Sequence, residues 1–234
     1  MARELCDEFG VLEPLQSQAT IGLQVEELKN ILQQHATPPV YLVGHSWGGW
    51  LSLLFASDHP TLVSKLILVS CGALEPGYSY DMSASRLQRL KDEEREQLQQ
   101  VYQCLEDDSC TEASEAFVRF GALMSKLDSF DPVDSGSTDI LEYQYPIYRS
   151  VWPEAMRMRE SGELLRRVAK VQCPVVAIHG DYDPHPAAGV KEPLQRTLED
   201  FRFILLPQCG HTPWQERQAR EAFYRILRDE LRPG

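Results

Sequence analysis

Val40-Tyr41-Leu42-Val43-Gly44-His45-Ser46-Trp47-Gly48-Gly49-Trp50-Leu51-Ser52-Leu53-Leu54-Phe55 is the stretch on which the fold is decided. Its first four residues are β-branched, aromatic or aliphatic and read as a buried strand, whereas Trp50 to Phe55 reads as an apolar helix that stops at Asp58-His59-Pro60. The turn between them is expected to be so sharp that only glycines fit on either side of the serine. Gly44 and Gly48 are expected to remove Cβ atoms that would clash there, leaving Ser46 at strained dihedrals with its hydroxyl exposed at the top of a sheet. A G-x-S-x-G pattern recurs by chance. The strand before it and the helix after it weigh against the alternative, a structural turn with an incidental serine.

A serine hydroxyl is a poor nucleophile at neutral pH. It needs an imidazole to take its proton and a carboxylate to orient that imidazole. Both are expected later in the chain, each on a loop just past a strand. Pro174-Val175-Val176-Ala177-Ile178 reads as a buried strand that runs into His179-Gly180-Asp181-Tyr182-Asp183-Pro184. Phe201-Arg202-Phe203-Ile204-Leu205-Leu206 reads as another, running into Pro207-Gln208-Cys209-Gly210-His211. Three strand ends thus carry serine, acid and histidine in the expected order.

On the Gly44 to Gly49 elbow, the Gly180-Asp181-Tyr182-Asp183 loop and the Gly210-His211 loop, the chain resembles the α/β-hydrolases, nearest to the esterase and prolyl-aminopeptidase-like group. The resemblance runs from about residue 1 to the end. It implies a mostly parallel sheet covered by helices on both faces, with an inserted helical cap. It also implies Ser46 as nucleophile, Asp183 as triad acid, His211 as general base and the Trp47 N–H as an oxyanion donor, with no cofactor. Asp181 falls two residues too early for the acid and is expected to cap or brace its loop. A serine at the elbow argues against haloalkane dehalogenases and epoxide hydrolases, which carry an aspartate there.

The remaining histidines and cysteines allow other readings. His179, Asp181, Asp183 and His185 alternate, and alternate residues of an extended segment share a face, as a metal site would require. Gly180 and Pro184 turn the segment, so no metal is expected. His45 either tunes the pocket or is packed and hydrogen-bonded, while His35 and His59 read as helix-end residues. Six cysteines (Cys6, Cys71, Cys104, Cys110, Cys173, Cys209) lack C-x-x-C spacing and are expected to be reduced thiols, although Cys104 and Cys110 flank an acidic loop that a bridge would close.

Composition fits a globular enzyme: 234 residues, 43% hydrophobic, 25% charged, net charge −12. That charge repels nucleic acid and anionic membranes. The resemblance implies a small-molecule ester or amide as the partner. The polar start, Met1-Ala2-Arg3-Glu4-Leu5-Cys6-Asp7-Glu8, does not resemble a signal peptide, and no apolar run is long enough to span a bilayer. A cytoplasmic location is the expectation.

The pattern divides the chain into core residues 1–73, a helical cap over 74–170 and core residues 171–234. In the first part Gly10 to Leu15 reads as a short strand with its exit loop, Gln24 to His35 as an amphipathic helix with Val25, Leu28, Ile31 and Leu32 inward, and Lys65 to Ser70 as a strand. In the middle, Arg86 to Leu105 and Thr111 to Leu127 read as helices, with Asp92 a plausible start, and Asp131 to Ser137 as a mobile turn-forming segment. Tyr143, Tyr145, Tyr148 and Trp152 either line a pocket or pack. Glu221 to Leu231 is a closing amphipathic helix.

The front departs from the family. The glycine-rich loop that supplies a second oxyanion donor has no counterpart before Gly44, where Gly10 and Gly22 stand alone, and Ala2 to Phe9 reads like the helix that would follow such a loop. Loss of one donor costs about 2.7–4 kcal/mol of transition-state stabilisation. The expectation is a chain that starts inside a longer reading frame, or a shortened family member. Either the Val11-Leu12 strand pairs with the elbow strand, or the latter has an open edge that invites dimerisation. Besides a serine hydrolase, two further readings stand: a catalytically weakened binding or sensor protein, and a lyase or acyltransferase on the same triad. Within the first, an aminopeptidase needs an acid near the substrate ammonium, with Glu13, Glu142 and Glu154 as candidates.

Overall fold

A computed structural model of the chain describes residues 1–107, 109–133 and 144–232, and only the backbone of residues 79–81. Four strands, β1 (Val40–His45), β2 (Val63–Val69), β3 (Val175–Gly180) and β4 (Phe201–Leu206), form one parallel sheet in the order β1-β2-β3-β4. The helices are α1 (Ala2–Leu5), α2 (Ile21–His35), α3 (Trp47–Asp58), α4 (Ser79–Arg89), α5 (Asp92–Glu106), α6 (Ala113–Leu127), α7 (Tyr145–Glu160), α8 (Glu163–Val168), α9 (Ala188–Thr197) and α10 (Arg220–Leu231). One helix joins β1 to β2, and one joins β3 to β4. Between β2 and β3 the chain detours through α4 to α8.

The central strands β2 and β3 are largely buried on both faces, whereas β4, expected to be a buried strand, is a half-exposed edge; the two-residue period of the central strands sorts their side chains. Leu66, Leu68, Val175 and Ala177 point into one core with Val25, Leu28, Leu54 and Phe55 of α2 and α3 and with Leu164 and Leu194 of α8 and α9. Ile67, Val69, Val176 and Ile178 point the other way, against Leu5 of α1 and Phe223 and Leu227 of α10. Each Val, Leu, Ile or Phe among them contributes roughly 1.5–3 kcal/mol through its burial. Val151, Ala155 and Met158 root α7 in the first core, whereas Leu90, Met124 and Leu127 form a small cluster of their own.

Parallel strands release the chain at one common edge. His45 pairs with Val69, Val69 with Ile178, and Gly180 with Leu206, so the segments after β1, β3 and β4 emerge side by side.

The structure corrects several expectations. Gly10 to Leu15 forms no strand: the segment is irregular, and Val11 and Leu12 are 38% and 43% exposed. With no strand there, β1 keeps one edge unpaired among the described residues. The N-terminal helix stops at Leu5 and gives way to a turn instead of reaching Phe9. The helix over 86–105 is two helices, because Leu90 turns extended to bury its side chain, and the Lys91 N–H then bonds the Glu94 carboxylate at 2.9 Å to start α5. Cys104 and Cys110 are joined as a disulfide across the α5–α6 turn, with Cα atoms 5.5 Å apart, where reduced thiols were expected. Residues 134–137, Glu142 and Tyr143 lie outside the described residues. Among the described residues no helix is long and apolar enough to cross a membrane.

Candidate active site

The chain leaves β1 and enters α3 through Ser46, whose φ of 53° and ψ of −117° lie in a region costly for any residue with a Cβ. A Cβ on Gly44 would come within 2.6 Å of the Gly48 carbonyl carbon, and one on Gly49 within 2.7 Å of Cys71 Sγ. At Gly48, by contrast, a Cβ would meet nothing within 4 Å. The glycines that sterics demand are therefore Gly44 and Gly49, not Gly44 and Gly48. The Ser46 N–H donates to the Val69 carbonyl at 3.1 Å, tying the elbow to β2. Trp47 opens α3, so its N–H has no acceptor inside the helix. The Ser46 hydroxyl makes no hydrogen bond to any described residue, His211 included.

The acid and the imidazole do meet. His211 Nδ1–H donates to Asp183 Oδ2 at 2.8 Å, which leaves Nε2 as the lone-pair nitrogen of the neutral ring. Asp183 is buried, and burial alone would raise its carboxyl. The His211 charge and hydrogen bonds from His185 and His211 outweigh it and hold the carboxyl well below its ordinary range. The two loops lie backbone to backbone: a Cβ on Gly180 would come within 2.6 Å of the Cys209 carbonyl carbon, and the Tyr182 N–H donates to that carbonyl at 2.9 Å. The Asp181 carboxylate accepts the Cys209 N–H at 3.2 Å, which is the bracing role expected of it.

A second layer fixes the His211 loop. The His211 N–H donates to the Asp128 carbonyl at 2.8 Å, and the His211 carbonyl accepts from His45 Nε2 at 2.9 Å. Burial, then the nearby His211 charge, push the His45 imidazole down to about 3, so it stays neutral with its proton on Nε2. Its ring stands edge-on to Trp214, centroids 4.7 Å apart. Of the two readings of His45, packing with a hydrogen bond is the one observed. The buried Glu216 carboxylate accepts three backbone N–H groups, from Phe130 (2.9 Å), Asp131 (2.8 Å) and Gly210 (3.0 Å). Arg86 clasps the Asp128 carboxylate, with Nε 2.8 Å from Oδ1, and Arg89 donates to the carbonyls of Leu127 and Tyr182 at 2.9 and 2.8 Å.

Sequence reading missed Glu216, Asp128, Arg86 and Arg89, and weighed His185 only as a metal ligand. Signals existed for some of them. Asp128 ends a helix where the dipole disfavours an anion, which calls for a cationic partner, and Glu216 closes the short Pro213-Trp214-Gln215 turn five residues after His211.

The alternating His179-to-His185 segment does not converge as a set. His179 is buried with Nε2 2.8 Å from the His185 carbonyl, and Asp181 serves Cys209. The donors that do gather, within 4.8 Å of one another, belong to Asp183, His185 and His211, each engaged in the hydrogen bonds described here. Cys209 and Cys71 are buried, which pushes their thiols up to about 12 and leaves them inert near neutral pH. Trp50 and Trp152 stack 6.1 Å apart, Trp152 and Tyr148 5.9 Å apart, and the Tyr145 hydroxyl donates to Leu105. These aromatics pack against one another. Glu154 accepts the Ile21 N–H at 3.0 Å, at the start of α2, and Glu13 is exposed.

Comparison with known proteins agrees with this fold. The model of the alpha/beta hydrolase family matches residues 12–226. The chain belongs to that family. Monoacylglycerol lipase ABHD6 of Homo sapiens is 26% identical over 188 residues, covering 79% of this chain and 52% of that protein. The chain thus spans about half the length of that relative. A pimeloyl-(acyl-carrier protein) methyl ester esterase of Chromobacterium violaceum is 23% identical over 215 residues, covering 92% of this chain and 79% of that protein. Among solved structures, VinJ superposes with a TM-score of 0.66 at 20% identity, over 93% of this chain and 74% of that one. A proline iminopeptidase of Mycobacterium smegmatis superposes with a TM-score of 0.57 at 17% identity, over 94% and 73%. At these identities the structural likeness speaks for the fold.

Proposed function

We propose that the chain carries the triad of a serine hydrolase that cleaves a small carboxylic ester through an acyl-enzyme on Ser46, with a small amide as second choice. His211 Nε2 takes the Ser46 proton as the oxygen attacks the carbonyl carbon, and Asp183 stabilises the imidazolium through Nδ1. The Trp47 N–H meets the oxyanion. His211 then gives its proton to the leaving group, and water releases the acid by the same steps in reverse roles. The observation that carries this reading is the 2.8 Å bond from His211 to the buried Asp183 carboxylate, at the sheet edge where Ser46 is held at positive φ. An ester is preferred because the lipase and the methyl esterase are relatives in sequence, whereas the iminopeptidase is a likeness of fold alone. The Cys104–Cys110 bridge favours an oxidising compartment over the cytoplasm expected from the sequence.

Hydrolysis of a short p-nitrophenyl ester, measured beside a proline anilide, tests the proposal. Turnover of the ester at least about tenfold above the anilide is expected, with a pre-steady-state burst. A second reading, a binding protein with weakened catalysis, draws on a single observation: Trp47 is the one oxyanion donor assigned among the described residues. Tight product binding with no burst would favour it.

A further inference from the structure

The two oxygens of Asp183 are held by two different imidazoles. Oδ2 accepts from His211 Nδ1 at 2.8 Å. Oδ1 accepts from His185 Nδ1 at 2.8 Å and from the His185 backbone N–H at 3.0 Å, an arrangement that folds Asp183-Pro184-His185 back on itself. The His185 and His211 rings lie 4.6 Å apart, with planes 29° from parallel. A carboxylate anion only accepts, so both Nδ1 atoms carry hydrogen and both Nε2 atoms carry lone pairs in the neutral rings.

We propose that His185 is a positioning residue for the hydrolysis assigned above: by holding Asp183 at Oδ1 it fixes the carboxylate plane that orients His211, and its own neutrality is a condition for His211 to accept the serine proton. The inference rests on that functional reading. Two physical facts support it. The terminal torsion of an aspartate is broad, and without the imidazole Oδ1 keeps one bond, from the His185 backbone N–H at 3.0 Å, whereas the imidazole adds a second at 2.8 Å and holds the carboxylate plane more tightly. One buried carboxylate also balances one imidazolium and no more. Beyond Asp183, the charged or titratable groups around His185 are His211, Arg86 and His179. Burial, then His211 and Arg86, outweigh Asp183 and keep the His185 imidazole below its ordinary value. A proton placed on His185 at lower pH would put a second cation beside the ring that must become cationic in the reaction.

The test compares wild type with His185→Ala and His185→Asn, whose amide can reach Oδ1. We expect kcat for His185→Ala to fall roughly 10- to 100-fold with KM nearly unchanged, and His185→Asn to recover most of the loss. The acid limb of the wild-type kcat/KM profile should fall with two protons and that of His185→Asn with one. Proton NMR with nitrogen-15 labelling gives a readout independent of turnover: apart from the Nε2–H resonances of His45 and His179, two protected downfield Nδ1–H resonances in wild type and one in His185→Asn. Equal kcat in all three proteins with identical acid limbs, or a single such resonance in wild type, would overturn the inference. If His185→Ala fails to fold, the asparagine variant and the resonance count decide. Failure of the hydrolase reading itself would show as a wild type inactive on esters, and the resonances would still settle the His185–Asp183 bond.

Discussion

The imidazole side of the site and the serine side are held in place by different physics. His211 sits in a hydrogen-bonded network that reaches α4 and α6: Asp128 and His45 grip its backbone, Glu216 grips its loop, and Arg86 and Arg89 grip the grippers. Ser46 has no such network. Among the described residues its hydroxyl is unbonded and its strand has a neighbour on one side only, and its position follows from the close approach of Gly44 to the Gly48 backbone and of Gly49 to the Cys71 side chain. The imidazole is thus placed by buried polar bonds spread along the chain, and the serine by local sterics. The first kind fails when a donor is orphaned, the second when an atom is added.

Substitutions separate the two. The largest stability loss is expected at Glu216→Ala, which strands three backbone N–H groups at about 1–3 kcal/mol each. Denaturant unfolding should show a drop of about 4 kcal/mol or more. On the serine side, Gly44→Ala drives a Cβ into the Gly48 carbonyl and should cost about 3 kcal/mol, whereas Gly48→Ala, with open space and a helical backbone, should be neutral or gain up to about 1 kcal/mol. Equal losses at the two glycines would break the steric account.

The network side also carries a pH signature. The unfolded chain protonates His45 below about 6.5 while the folded chain resists until about 3. Stability is therefore full above 6.5 and declines as pH falls through that window. Melting temperature followed from pH 7 to 4 should fall less steeply in His45→Asn, whose amide can keep the bond to the His211 carbonyl. No effect on turnover is expected at the bridge, which lies in the helices after β2. Cys104→Ser should lower stability by about 2 kcal/mol with turnover unchanged.

The legible parts of the fold were those with local causes. The elbow announced itself because a strand, a glycine-flanked serine and an apolar helix are contiguous in Val40 to Phe55. The Asp183 and His211 loops followed because each trails an apolar strand, although only the first, β3, is buried, and β4 is a half-exposed edge. Gly10 to Leu15 misled because its apolar residues suit a strand, yet a strand needs a partner edge that sequence pattern does not reveal. The roles of Glu216, Arg86 and His185 escaped for a related reason: they arise from chain segments distant in sequence or from a tight turn whose hydrogen bonds leave no periodicity. The Cys104–Cys110 pairing likewise depends on how α5 and α6 pack.

Fluorophosphonate labelling followed by peptide mass spectrometry tests the central claim most directly. The account predicts one adduct, on Ser46, absent in Ser46→Ala and slowed by about 10³-fold or more in His211→Ala. Undiminished labelling in Ser46→Ala, or an equal rate in His211→Ala, would contradict it.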